Sequence, residues 1–109
     1  MVYELRTYWA APGKIDALHA RFRTLTLRIF ERYAMQVVAF WTPTLATDAS
    51  GDLVYIMAFA DETALRQAWE AFRADAEWQA GKAASEVDGV LAARVESVVL
   101  TPTDYSPLQ

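Results

Sequence analysis

Three chemically capable side chains alternate along the first strand-like segment of the chain: Glu4, Arg6 and Tyr8. Alternate residues of a β-strand lie on the same face of a sheet, so we expect a carboxylate, a guanidinium and a phenol to stand in one row. Such a row is a solvated face, a set of ion pairs within the sheet, or the lining of a site.

Ion pairs across the sheet are one prediction for this row. Arg94 and Glu96 alternate in the same way near the end of the chain, in a strand that is expected to lie beside the first. Arg6–Glu96 and Glu4–Arg94 pairs would each contribute about 0.2–1 kcal/mol to stability. Buried charges are normally paired, which favours this interpretation.

A ligand site is the other prediction. Arg6 and Tyr8 would then project into a cleft whose wall includes Trp41, Tyr55 and Met57. Sites for small molecules combine apolar walls with a few placed polar groups. These residue types therefore suit a small aromatic or anionic molecule.

The single histidine, His19, flanks the apolar stripe of the predicted first helix. It is either a boundary residue with its edge in water or a ligand-binding group, acting as general base or haem ligand. The chain has no cysteine, which excludes disulfides, thiolate metal sites and cysteine nucleophiles. No metal site and no cofactor are predicted, with haem bound through His19 as the alternative.

Strand and helix patterns that could position these residues follow one another along the chain. Residues 2–9 read as a strand that Pro12-Gly13 ends, and an apolar stripe then predicts a helix to about residue 34. That stripe consists of Ile15, Leu18, Phe22, Leu25, Ile29 and Tyr33, with Arg21, Arg28, Glu31 and Arg32 at outer, solvated positions. Further strands are expected at 36–42, 53–59 and 90–100, and Asp61 and Asp75 are the expected N-caps of two more helices.

The resulting order, β-α-β-β-α-β, predicts an α+β, ferredoxin-like fold. Its four-stranded antiparallel sheet would carry the helices on one face. The strand at 53–59, LVYIMAF, is apolar on both sides, so the other face of the sheet also needs a cover. A second copy of the chain is the simplest cover, and we therefore predict a homodimer.

Length and composition limit the class of protein. The 109 residues indicate a single domain, 1–109, with 101–109 as a C-terminal tail. A net charge of −4 argues against nucleic-acid binding, and no apolar run approaches the length of a membrane span, about 20 residues. The first residues do not form a signal peptide, so we expect a cytoplasmic protein without membrane insertion. Nucleotide-binding and zinc-hydrolase motifs are absent from the sequence.

An ordered set of short motifs spans residues 3–107: YELRTY, PGK, RF, FW, A-W-x-x-F-x-x-D-x-E-W and DYSP. The set resembles the NIPSNAP family. Ala39 stands where a glycine is common before the Phe-Trp pair, and Ala76 where a proline is common. The resemblance implies a dimeric α/β-barrel, in which two four-stranded sheets pack face to face, and it implies no particular reaction.

Three hypotheses for function follow. The first is an uncharacterised homodimeric NIPSNAP-family barrel protein that binds a small aromatic or anionic molecule. The second is a cofactor-independent monooxygenase or isomerase for an aromatic substrate, an activity found in similar barrels, which would depend on Arg6, Tyr8, Tyr55 and His19. The third is a structural or protein-interaction module that uses the dimer surface or the C-terminal tail.

Overall fold

Four strands form one antiparallel sheet in the computed structural model, which describes all residues from 1 to 109. They are β1 (Val2–Ala10), β2 (Gln36–Trp41), β3 (Leu53–Phe59) and β4 (Ala92–Leu100). Their order in the sheet is β2-β3-β1-β4, so β1 and β3 are central and β2 and β4 are edges. The predicted strands and the ferredoxin-like order are confirmed, with β4 beginning two residues later than expected.

The helices pack on one face of this sheet. They are α1 (Ile15–Arg21), a π-helical turn (Phe22–Thr26), α2 (Leu27–Arg32), α3 (Glu62–Ala74) and α4 (Ala76–Ser85). The helix predicted to run from residue 14 to about 34 is therefore interrupted by a wider turn, which the apolar stripe does not reveal. Both predicted N-caps are confirmed, because Asp61 accepts a hydrogen bond from the amide of Ala64 at 2.8 Å and Asp75 one from Trp78 at 2.9 Å.

The core lies between the sheet and the helices, and aromatic rings dominate it. Tyr55 is completely buried at its centre, and the rings of Phe22, Phe30 and Phe40 lie 4.7–6.3 Å from it. Phe30 also meets Trp69 edge to face, at 5.7 Å. Such aromatic pairs contribute about 0.5–1.5 kcal/mol beyond the area they bury. The core thus fixes the rings that surround the polar row of β1.

The strand register contradicts the predicted cross-strand ion pairs. Arg6 lies opposite Ser97, and Thr7 lies opposite Glu96, so the pairing differs by one residue from the one that Arg6–Glu96 would need. A shift of one residue moves side chains to the other face of a sheet. Arg94 and Glu96 consequently lie on the outer face, where they pair with each other, and the Arg94 guanidinium stacks over Trp9 at 4.3 Å.

An apolar row crosses the outer face of the sheet, which lacks a covering layer. Leu5 lies opposite Ile56 on one side and Val98 on the other, and Val98 is 52% exposed. The Cα atoms span 46 × 35 × 18 Å, which matches one sheet and one layer of helices. Near one end of the face the hydroxyl of Tyr3 donates to the backbone oxygen of Gln109, at 2.8 Å. None of the helices is both long and apolar enough to cross a lipid bilayer.

Candidate functional site

Arg6 is the centre of a polar cluster on the helix-facing side of the sheet. Its Nε donates to the hydroxyl of Tyr55 at 2.9 Å, and its Nη2 donates to the hydroxyl of Tyr8 at 3.2 Å. The two hydroxyl oxygens lie 3.1 Å apart and share a hydrogen bond. Tyr8 neighbours Arg6 along the row on β1, and Tyr55 lies opposite Arg6 on β3, so strand pairing alone brings the three groups together.

Glu4 forms an ion pair with Arg6 that fixes the position of the guanidinium. This carboxylate is 3% exposed and accepts three hydrogen bonds: from Arg6 Nη1 at 3.1 Å, Trp69 Nε1 at 2.6 Å and Ser97 Oγ at 2.5 Å. The ring of Trp69 also lies under the guanidinium, with Cζ of Arg6 4.3 Å from its centroid. The predicted pairing of buried charges is thus present, but within β1 rather than between strands.

Burial and neighbouring groups keep Arg6 and Tyr55 each in one protonation state at neutral pH. The pKa of Tyr55 is raised well above its ordinary value, first by burial and then by the neighbouring Tyr8 hydroxyl, and Arg6 only partly offsets this. Burial acts to lower the pKa of Arg6, but Tyr55, Tyr8 and Glu4 outweigh it and the pKa is raised overall. Arg6 is therefore a cation and Tyr55 a neutral phenol.

The cluster has more donors than acceptors. A guanidinium carries five N–H groups, and three hydrogen bonds from Arg6 are satisfied within the chain. Tyr8 and Tyr55 together carry two O–H groups, and only one of them is used in the bond between the two oxygens. Two N–H groups and one O–H group thus have no acceptor among the protein atoms, and they suit an oxygen-rich ligand.

A cavity of about 320 Å³ lies over this cluster, between the sheet and the helices. We call it the Arg6 cavity. Five aromatic side chains of its wall come from the helical layer: Phe22, Phe30, Trp69, Phe72 and Trp78. Its charged residues besides Arg6 are Arg21, Arg73, Lys82 and Glu86, so cations predominate although the whole chain is acidic. Val95 of β4 also lines it and is 42% exposed, which places an opening along that edge.

Arg21 is a second cation at this cavity, and it is buried, which contradicts its predicted place on a solvated face. The side chain is 6% exposed, and its Nη1 donates to Ser85 at 3.2 Å and Glu86 at 3.3 Å. Its guanidinium lies 5.4 Å from the ring centroid of Trp78. The buried Nε has no hydrogen-bond partner in the chain, which is uncommon for a buried polar atom. The prediction failed because the partner, Glu86, is far away in sequence.

The NIPSNAP family model matches residues 3–107. The chain belongs to the NIPSNAP family. An uncharacterised NIPSNAP domain protein from Burkholderia xenovorans is 27% identical to it, with 98% of this chain and 99% of that chain covered and a TM-score of 0.81. A NIPSNAP family protein from Agrobacterium tumefaciens is 20% identical, with 99% and 98% covered and a TM-score of 0.84. No curated protein matches the chain.

A more distant relative in structure carries a ligand. It is a mutant of MhuD with two manganese protoporphyrin IX molecules bound per active site, and its structure covers 94% of both chains with a TM-score of 0.61. The identity is 11%, so this likeness shows the fold alone. The shared fold agrees with the βαββαβ order of the NIPSNAP chain.

The remaining predicted site residues of this NIPSNAP protein do not reach the Arg6 cavity. Met57 is completely buried opposite Glu4 on β3 and lines no cavity wall around Arg6. His19 and Trp41 line a second cavity of about 320 Å³, with Phe40 and Arg23, which we call the His19 cavity. Five of the six residues predicted as one site are therefore divided between two cavities, Met57 lines neither, and whether any of them binds a ligand stays a prediction.

Trp69 and Ser97 are the site residues that sequence reasoning missed. The helical spacing of Trp69 predicts a core residue of the second helix, and its ring is indeed buried. The spacing does not predict that its indole N–H donates to Glu4. Ser97 follows Glu96, which was assigned to the inner face, and it is Ser97 that lies opposite Arg6 on that face. A buried carboxylate needs donors, so the presence of Glu4 on a buried row was the one available signal that such partners exist.

Proposed function

We propose that this NIPSNAP-family protein binds a small, planar, aromatic anion in the Arg6 cavity. The observation that carries the proposal is the excess of hydrogen-bond donors around Arg6, Tyr8 and Tyr55 at the base of an aromatic-walled space. A carboxylate or phenolate oxygen would accept from these donors. Guanidinium groups bind carboxylates in this way, with two parallel hydrogen bonds.

The walls and the size of the cavity restrict the ligand further. Trp69, Phe72 and Trp78 offer ring faces and edges to an aromatic ligand. A volume of about 320 Å³ lies at the low end of the range for small-molecule sites, about 300–1,000 Å³. A single substituted ring is therefore a better fit than an extended polycyclic molecule.

The proposal includes a homodimer formed through the outer face of the sheet. Leu5, Ile56 and Val98 form an apolar row there, and a monomer would expose it to water. The same row on a second copy would cover it by a two-fold contact. Static light scattering should give twice the mass of one chain, and Ile56→Glu should give single chains. Val87→Glu, at a residue that is 79% exposed in a loop, is the control and should leave the dimer intact.

Catalysis is less favoured than binding, because the cavity offers a poor general base. Glu86 is the carboxylate among the residues that line it. Burial acts to raise the pKa of Glu86, but hydrogen bonds from Lys82, the amide of Leu91 and Arg21 outweigh burial and lower it. A monooxygenase or isomerase that abstracts a proton near pH 7 would need a base with a pKa close to that value.

Haem is the second candidate, suggested by the porphyrin bound to MhuD and by the single histidine. His19 lies in the His19 cavity, so haem held by this residue would sit apart from Arg6. Added haem should then give a Soret band that His19→Ala removes and that Tyr8→Phe leaves unchanged. A spectrum of unbound haem would exclude this candidate.

Salicylate titration tests the main proposal. Trp69 and Trp78 line the Arg6 cavity, so binding should change the tryptophan fluorescence. The double variant Tyr8→Phe/Tyr55→Phe keeps both rings and removes the one O–H group that is free for the ligand, and it should bind up to about tenfold more weakly, since a hydrogen bond contributes about 0.5–1.5 kcal/mol. Tyr105→Phe, at a residue that is 84% exposed, is the matched control. Equal affinity of the double variant and the control would contradict the proposal.

A further inference from the structure

One aromatic ring separates the Arg6 cavity from the His19 cavity. Each has a volume of about 320 Å³, and Phe22 is the one residue that lines both. Phe22 is 7% exposed, so its ring is packed within the protein. Phe22 therefore belongs to both walls, beside the contact between Tyr55 of the Arg6 cavity and Phe40 of the His19 cavity, whose ring centroids lie 4.7 Å apart.

Rings on both sides hold Phe22 in position. On the side of the Arg6 cavity, its centroid lies 5.5 Å from Tyr8 and 5.6 Å from Tyr55, both at 72° between ring planes. On the side of the His19 cavity, it lies 5.5 Å from Phe40 at 70°. These are edge-to-face contacts, which aromatic pairs prefer. Phe22 thus stands as a fixed partition that touches two residues of the proposed anion site.

The backbone at this point departs from a regular helix. Phe22 is the first residue of the π-helical turn, and its carbonyl accepts from the amide of Leu27, five residues later. Thr26, the last residue of the turn, also lines the Arg6 cavity. Single π-helical turns within α-helices are rare and are frequent at functional sites. The π-helical turn therefore begins at Phe22, the residue that the two cavities share.

We infer that Phe22 sets the length of the ligand that the Arg6 cavity accepts, an inference that rests on the proposed function. A one-ring anion held at Arg6 fits between the polar cluster and the Phe22 ring. A two-ring anion with the carboxylate at one end needs the space of the His19 cavity for its second ring. Removing the Phe22 ring joins the two spaces, and the joined site has apolar walls at Phe40 and Trp41 for that second ring.

Isothermal titration with two probes, salicylate and biphenyl-4-carboxylate, tests this inference. Wild-type protein should bind salicylate at least about tenfold more tightly than the biphenyl probe, a typical discrimination by pocket size. Phe22→Ala should gain at least about tenfold in affinity for the biphenyl probe, and salicylate should change less. Phe40→Leu enlarges the His19 cavity without removing the partition, so it is the control and should give no gain.

Phe22→Leu keeps the comparison decisive if loss of the whole ring disturbs folding, which circular dichroism reports. It should give a smaller gain in the same direction as Phe22→Ala. Equal binding of both probes by wild-type protein, or no gain in a folded Phe22 variant, would overturn the role of Phe22. Salicylate binding that still needs the Tyr8 and Tyr55 hydroxyls would leave the proposed function standing in that case. If neither probe binds any variant, both the inference and the proposed function fail.

Discussion

Replacement of Arg6 by methionine would test whether the Glu4–Arg6 pair organises this part of the molecule. The change keeps an unbranched apolar side chain over Trp69 and removes the cation that faces Glu4. Loss of one partner from a buried ion pair costs about 3–5 kcal/mol. The Arg6 side chain is 18% exposed and Glu4 retains Trp69 and Ser97 as donors, so the lower end of this range applies, about 3 kcal/mol.

Urea unfolding followed by tryptophan fluorescence would measure this loss, and thermal unfolding should show a fall in Tm of about 12 °C at about 4 °C per kcal/mol. The double variant Glu4→Gln/Arg6→Met should recover about 1 kcal/mol or more, because it no longer buries an unpaired carboxylate. Arg73→Met makes the same chemical change at an exposed residue of the cavity wall and should stay within about 0.5 kcal/mol of wild type. A loss below about 1 kcal/mol in Arg6→Met, or no recovery in the double variant, would refute the reasoning.

Three further predictions concern other parts of the fold. Gly51→Ala should lower the free energy of unfolding in urea by at least about 1–2 kcal/mol, because Gly51 has φ of 70° and an added Cβ would lie 3.1 Å from the backbone oxygen of Tyr8. An unchanged urea midpoint would contradict this prediction. Hydrogen bonds from Tyr33, the Trp78 amide and Arg32 lower the pKa of Asp75 to about 2. The stabilisation that ionised Asp75 gives is therefore present above about pH 4 and lost as the pH falls towards 2. Tyr33→Phe should weaken this dependence of Tm on pH, and a profile identical to wild type would contradict the prediction. Because the pKa of Tyr55 is raised, its contribution to the free energy of unfolding is present below pH 10 and is lost as the pH rises further. Tyr55→Phe should therefore remove a phenol with a raised pKa from an ultraviolet titration of the tyrosines. No change in the titration curve would contradict the burial of Tyr55.

The sequence predicts the elements well because local patterns determine them. Asp61 and Asp75 are caps in the sequence and in the structure, since a cap needs only its own helix to act. Alternation along β1 correctly groups Glu4, Arg6 and Tyr8 on one face, since side-chain direction in a strand depends on the backbone alone. These features need no information about distant parts of the chain.

Register and burial of charge need that distant information. The alternation of Arg94 and Glu96 is visible in the sequence. The face on which they lie depends on the register between β1 and β4, which places Arg6 opposite Ser97. Arg21 looks like a surface residue until Glu86, 65 residues later, comes to cover it. The candidate site is therefore predicted in its residues on β1 and β3, and missed where helices and β4 complete it.

A crystal structure of the protein with salicylate tests the proposed binding site most directly. We expect the carboxylate of salicylate in the Arg6 cavity, within hydrogen-bonding distance of Arg6 and of the Tyr8 or Tyr55 hydroxyl, with its ring among Trp69, Phe72 and Trp78. Salicylate bound only elsewhere on the protein, or a cavity closed by side chains with the donors of Arg6 fully paired, would contradict the proposed function.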